Sequence, residues 1–436
     1  MNNYLKYRVK QKIMNGGEIK YECPEDYSYL CPNESLNFGL CVNNSKLKLK
    51  KYVLCNKLDD YDKDNYRLPI VKNDLLTEKE RNKVEQNTKR GNEKGYKSDN
   101  LVNSCYIQKK DPITYKYDNF NMPNVFSIIT LNIMGIYRGN VSVLNLMKVR
   151  MKMLRKELLE IQPDILCFQE MSYTCFDLLY TKKIRKIYPY FSPDINDLES
   201  LKDKRGKDIE VFIMSKYPIR KVTLYELEGN LDYTNSLGIY EFDNLVIFNV
   251  YMQAGSKKSP GQEYYYQHYS RCRSQELNFI KSIIDSLNTK PCIVLGDFNF
   301  DINGSNDEWP EKIMFNNLGL LDSWTGGLDE NGLTENTDKN DMRYNSKFEE
   351  KKYRYDAILY SKTIQLLDDS SKVICNEGLD LEFENYAYNQ DYKNAILSKY
   401  QPEGNQIRST IKDGKEIFKL FISDHFAVHS KFRLKN

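Results

Sequence analysis

From Val125 onward the chain repeats one device. A short apolar and β-branched run, too brief for a core helix, is closed by a polar or acidic side chain in place of a turn former. VFSIITLN closes on Asn132, DILCFQE on Glu170, NLVIFNVY on Tyr251, and PCIVLGDFN on Asp297 and Asn299. Further strands are predicted at DIEVFIMS, YRYDAILYS and DHFAVHSKFRL. Between the first two runs, VLNLMKVRMKMLRKELLEIQ sets Leu146, Val149, Met153 and Ile161 at helical spacing with Lys and Arg between them, an amphipathic helix with a basic outer face. SRCRSQELNFIKSIIDSL reads as a second helix between two strands. Such alternation predicts α/β layers whose sheets are mostly covered.

A side chain at a strand end stands on a rigid support at the sheet's edge. If these ends face one cleft, Asn132, Glu170, Tyr251, Asp297 with Asn299, and Asp424 with His425 converge. Each has an ordinary reading when taken alone. An Asn there is commonly a satisfied turn residue, a Glu after an apolar run the first solvated position, and Asp-His near a terminus a loop.

Residues 1–119 have a different texture and are read as an N-terminal extension to a domain spanning 120–436. Cys23, Cys31, Cys41 and Cys55 could supply four soft ligands to zinc, but their spacings of eight, ten and fourteen match no common zinc pattern. Unlinked thiols packed with Tyr and Leu are the simpler expectation, and the role and protein partners of this segment stay open. TEKERNKVEQNTKRGNEKGYKSDN then reads as a solvated helix or linker.

With 40% apolar and 29% charged residues the chain has enough to bury for a folded protein and too much for general disorder. A net charge of +3 does not support attraction of the whole surface to nucleic acid or anionic membrane, so local clusters must carry any such contact. Candidates are Lys148 to Lys156 and Lys182 to Lys186, where a solvated helix face is the commoner meaning. MNNYLKYRVKQ lacks the apolar run of a signal peptide, and nowhere are 18 apolar residues consecutive. The expectation is a protein without a transmembrane segment, soluble in a reducing compartment, cytoplasmic or nuclear.

The ordered series LNIMG, PDILCFQEM, VYMQAG, GDFNFD, YRYDAILYS and SDHFAVH resembles the motif series of the endonuclease/exonuclease/phosphatase superfamily, also called DNase-I-like. The resemblance implies a two-sheet β-sandwich flanked by helices and a metal-dependent phosphodiesterase. By that resemblance Glu170 is the principal Mg2+ ligand, with Mn2+ as the alternative ion, helped by Asn132 and Asp424, an all-oxygen set suited to a hard cation. Asp297 would activate water and Asn299 donate to a phosphoryl oxygen, while His425, oriented by Asp356, contacts the phosphate or passes a proton.

Two departures stand out. Met134 occupies a position that is acidic in many members, which lightens the metal shell. Many members carry His where this chain has Tyr251, and the apurinic-site endonucleases are similar in placing Tyr there. QAGSKKSPGQ with SRCRSQELNFI looks more like the neutral sphingomyelinases, and TENTDKNDMRY is similar to both these and the tyrosyl-DNA phosphodiesterases. Nucleic acid is the expected substrate, with a phospholipid headgroup or inositol phosphate as the alternative and an inactive binding scaffold as the reading from another class. His268 reads as a surface residue rather than a substitute for the strand His, the run Tyr264, Tyr265, Tyr266 could stack bases, lie along a lipid surface or pack, and His429 reads as a structural residue of the last strand.

Overall fold

In the computed structural model the described residues are 122–135, 143–193, 210–228, 234–255, 263–327, 329–340, 351–367, 370–382 and 409–435, with short strand pieces before residue 115. The side chains of Cys23, Cys31, Cys41 and Cys55 lie outside them, as do residues 77–100.

In chain order the elements of the sandwich begin with β1 (Tyr106–Lys109), β2 (Ile113–Thr114), β3 (Val125–Asn132), α1 (Val143–Ile161) and β4 (Ile165–Met171). Then come α2 (Tyr173–Leu179), α3 (Lys182–Ile187), β5 (Tyr190–Ser192), β6 (Glu210–Ser215), β7 (Lys221–Glu228), β8 (Thr234–Glu241), β9 (Val246–Tyr251) and α4 (Glu263–Ser286). The chain continues through β10 (Cys292–Asp297), α5 (Lys312–Asn317), β11 (Leu321–Asp322), β12 (Glu335–Asn336), β13 (Lys352–Tyr353), β14 (Asp356–Tyr360), β15 (Ile364–Leu366) and β16 (Lys372–Ile374). It closes with β17 (Leu379–Glu382), β18 (Ser409–Lys412), β19 (Lys415–Leu420) and β20 (Ala427–Leu434).

One sheet runs β5-β6-β4-β3-β20-β15, with β16 also on β20; the other runs β11-β14-β10-β9-β8-β7-β1, with β2 also on β7. Each is built around one parallel pair, β3 with β4 and β9 with β10, whose crossovers carry the long helices α1 and α4. Three cores result. Ile129, Leu131, Leu166 and Phe168 pack under α1 through Met151, Leu154 and Leu158. Phe248, Val250 and Val294 pack under α4 through Leu277 and Ile280. Between the sheets lie Ile128, Cys167, Ile247, Leu295 and Ile358. The molecule is thus a two-sheet β-sandwich with helices on its outer faces, as expected.

Several sequence readings change in detail. Residues 106–114 pair with β7, so the second sheet takes its edge from the segment before residue 120. Helix α4 starts at Glu263 and takes in Tyr264, Tyr265, Tyr266 and His268, whose side chains lie outside the described residues. The basic face of α1 is only partly solvated. Arg150 is 1% exposed and donates to the carbonyls of Ile133, Met134 and Ile422, while Arg155 donates to that of Leu178. Cys167, Cys175, Cys292 and Cys375 carry free thiols, whereas Cys272 is disulfide-bonded. Among the described residues no helix is long and apolar enough to cross a membrane.

Candidate active site

The inner faces of the two sheets turn from apolar to polar as they approach one end of the sandwich. Side chains alternate along a strand, so residues two apart share a face. Ile128 on the inner face is followed by Thr130 and Asn132, Cys167 by Gln169, Ile247 by Asn249 and Tyr251, and Leu295 by Asp297. Ile358 is preceded by Asp356 on the antiparallel β14. Asp424 and His425 lie on the loop that leads into β20 and arrive at the same end. The expected convergence is therefore met: Asn132, Tyr251, Asp297, Asp356, Asp424 and His425 are all buried to 5% exposure or less. Asn299 and Glu170 remain partly exposed.

Glu170 breaks the alternation. Its φ is 51°, and between Met171 and Phe168 two residues of β4 face the single Val211 of β6, a β-bulge. The bulge puts Gln169 and Glu170, neighbours in sequence, on the inner side together. A left-handed non-glycine residue is costly and is held here by its surroundings. Gln169 donates to Thr130 Oγ1 (3.0 Å) and to Asn249 Oδ1 (2.6 Å), and Asn249 Nδ2 donates to the carbonyls of Phe168 and Phe212. Neither Gln169 nor Asn249 was anticipated as part of the site's support, although the alternation that exposes them was present in the sequence.

One hydrogen-bonded run links the acids. Asn132 Nδ2 donates to Glu170 Oε1 (3.1 Å) and Asp297 Oδ2 (2.9 Å), and Tyr251 Oη donates to Glu170 Oε1 (2.7 Å). The oxygen of Asn132 accepts from Met134 N, so in this arrangement Asn132 bridges two carboxylates and does not present an oxygen to a cation. Asn299 Nδ2 donates to the Met252 carbonyl (2.9 Å) and to Asp297 Oδ2 (3.3 Å). His425 Nδ1 meets Asp356 Oδ2 at 2.8 Å, and its Nε2 lies 4.0 Å from Asp297 Oδ2. Asp356 N donates to Thr334 Oγ1, and Ser423 Oγ to the Asn132 carbonyl and to Asp424 Oδ1. Thr334 and Ser423 lack the charge that would single them out in a sequence. Gly296 lets β10 approach β9 just before Asp297. A Cβ there would stand 2.0 Å from the Val250 carbonyl oxygen.

Burial raises the Glu170 carboxyl first, and the neighbouring Asp424 raises it further. Burial pushes Asp297 up to about 7, against the pull of His425. For His425, burial works against a proton, but Asp356 and Asp297 outweigh it and hold the ring well above its ordinary value. Burial and then Glu170 keep the Tyr251 hydroxyl protonated. The set therefore offers a half-committed acid near neutrality beside a cationic imidazole.

Asp297, Asp356 and His425 bring ligand atoms within 4.8 Å of one another. His425 Nδ1 is already engaged by Asp356, which suits that trio to proton handling. Glu170 uses Oε1 for both of its hydrogen bonds and has Oε2 for another partner, beside the like charge of Asp424. Two close acids with a spare oxygen fit a hard divalent cation.

A family model described as Endonuclease/Exonuclease/phosphatase family matches residues 129–425. No curated protein matches the chain. Among solved structures, TDP2 from Caenorhabditis elegans is similar at 15% identity over 71% of this chain and 74% of its own, with a TM-score of 0.45. TDP2 from D. rerio, in complex with a single-strand DNA product, is similar at 16% identity over 71% and 99%, with a TM-score of 0.42. Beta toxin from Staphylococcus aureus, as a double mutant with bound magnesium ions, is similar at 15% identity over 71% and 99%, with a TM-score of 0.45.

Proposed function

The chain belongs to the endonuclease/exonuclease/phosphatase family, and from that premise we propose that it hydrolyses phosphodiesters with a divalent cation, acting on nucleic acid as a nuclease or DNA-end phosphodiesterase. The observation that carries this reading is the bridge from Asn132 to both Glu170 and Asp297, which ties a cation-suited acid to a proton-accepting acid. In this reading Glu170 and Asp424 hold Mg2+ or Mn2+, and Asn132 aligns Glu170 for it. The cation supplies charge neutralisation at the phosphoryl oxygens. Asp297, raised to about 7, takes the proton of the attacking water. His425, kept charged by Asp356, donates to the phosphoryl group as charge builds. Tyr251 donates to Glu170 and fixes its rotamer. Asn299 holds Asp297 from the other side, its amide being committed to Met252 and Asp297.

Tyr251 supports nucleic acid, since that is where the chain resembles apurinic-site endonucleases; QAGSKKSPGQ supports a phospholipid headgroup instead. The test offers the full chain single- and double-stranded DNA, abasic DNA, RNA, a tyrosyl-DNA adduct, sphingomyelin and an inositol phosphate, each with Mg2+ and with chelator. Cation-dependent cleavage of a nucleic acid, lost in Glu170→Gln with the fold intact, is expected. Cleavage of sphingomyelin alone would overturn the substrate class, and no cleavage of any substrate would leave a binding scaffold.

A further inference from the structure

Beside the site, a recess of about 270 Å3 opens between the edges of the two sheets. One wall is β16 with Ser371 and Lys372, and the other is the segment from Trp324 to Lys339. It adjoins the site on both sides: Phe426, in its lining, follows His425, and Phe426 N donates to the carbonyl of Thr334, whose hydroxyl holds Asp356.

The lining is rich in donors and contains no carboxylate. Lys339 and Lys372 are exposed, and neither has a carboxylate oxygen within 4.0 Å among the described residues; Lys339 acts on Asp329 only from beyond that distance. Asn336 is 2% exposed. Its oxygen accepts from Asp338 N, and its amide nitrogen makes no hydrogen bond. Asn336 lines the recess, so that nitrogen can donate to an acceptor that enters it. Trp324 lies over the backbone of Gly326 and Gly332, where a Cβ would come within 2.8 and 2.5 Å of its ring, and it contributes an aromatic surface to the same recess.

Two ammonium groups, an unpaired amide donor and an indole together suit a phosphate with an aromatic base attached. We infer that this recess binds a nucleotide flanking the scissile bond, with Lys339, Lys372 and Asn336 on its phosphate and Trp324 against its base. The inference rests on the nucleic-acid reading of the site and adds to it a single-stranded substrate at least one nucleotide longer than the bond cut.

The test uses the full chain with Lys339→Gln, Lys372→Gln and the double variant, exposed positions where folding is not at stake. Lys362→Gln, at the opposite end of β14, controls for general loss of charge. Binding of a ten-nucleotide oligothymidylate is measured with chelator present across a salt series. Each lysine variant should weaken binding severalfold, and the double variant should flatten the salt slope by about 1.4, at roughly 0.7 per lost contact on a single strand. With Mg2+, kcat/KM for the oligothymidylate relative to bis(4-nitrophenyl) phosphate, which has no second phosphate, should fall at least tenfold. Parent-like binding and an unchanged ratio in the double variant would overturn the inference and leave the proposed function standing. Absence of any oligothymidylate binding by the parent would remove both, as would a lysine effect confined to an inositol phosphate.

Discussion

Tyr251 and His429 show how single side chains in the same sandwich are set to opposite tasks. The Tyr251 hydroxyl donates to the carboxylate proposed to hold the cation, at 2.7 Å. Tyr251→Phe keeps the ring and is expected to lower turnover about tenfold, or 1.4 kcal/mol of barrier, without moving the melting temperature. Turnover equal to the parent's would mark the hydroxyl as incidental. Asp297→Asn should cost roughly a hundredfold in turnover, the usual scale for a positioned base, while substrate binding survives. A variant that turns over at the parent rate removes Asp297 from the mechanism. His429, 8% exposed on β20, is held down at about 4 by burial first and then by Lys431 and Lys372. Its folded value lies below the 6.5 of the open chain, so the unfolded state takes up the proton first. Its contribution, on the order of 3 kcal/mol, is present above pH 6.5 and lost as pH falls towards 4. Asp297 and Glu170, both raised, work in the other direction, so the measurement is a difference. From pH 7 to 4.5, the parent should lose more stability than His429→Gln, and parallel losses would refute the assignment.

At the scale of elements, the bulge in β4 does what a regular strand could not. Period-two alternation would send Glu170 to the helix side. The extra residue opposite Val211 returns it to the cleft. Asn249 on β9 holds that bulge from the facing sheet, since it satisfies the Phe168 and Phe212 carbonyls and accepts from Gln169. Asn249→Leu leaves these buried groups without their partner and should destabilise the fold by about 2–4 kcal/mol, with activity falling further than stability because Glu170 loses its support. Urea midpoints and turnover measured together check this, and an unchanged midpoint would show that the bulge stands without it. Arg150 plays the matching part on the other side, binding the end of β3 to the loop that brings in Asp424 and His425.

At the scale of the whole molecule, the second sheet takes its edge strand from before residue 120. Residues 106–109 pair with β7 from Tyr106 opposite Glu228 to Lys109 opposite Tyr225. A chain starting at Asn119 bares that edge. It is expected to melt several degrees below a chain starting at Ser104 and to aggregate more readily, and equal melting temperatures would put the boundary at 119. The sequence by itself determined the apolar runs, their polar closures and the helix between the first two, because burial of one face imprints a local period on the residues. Those closures include Asn132, Glu170, Tyr251 and Asp297, whereas Asp356 is picked out only by the resemblance of YRYDAILYS to the family's motif. Only the tertiary structure decided that Glu170 sits on a bulge with φ 51°, that Asn132 bridges two acids through its nitrogen, that Arg150 points inward from a basic helix, and that residues 106–114 join the second sheet. Each of these depends on a partner 16 or more residues away in the chain, and a local pattern carries no information about such a partner.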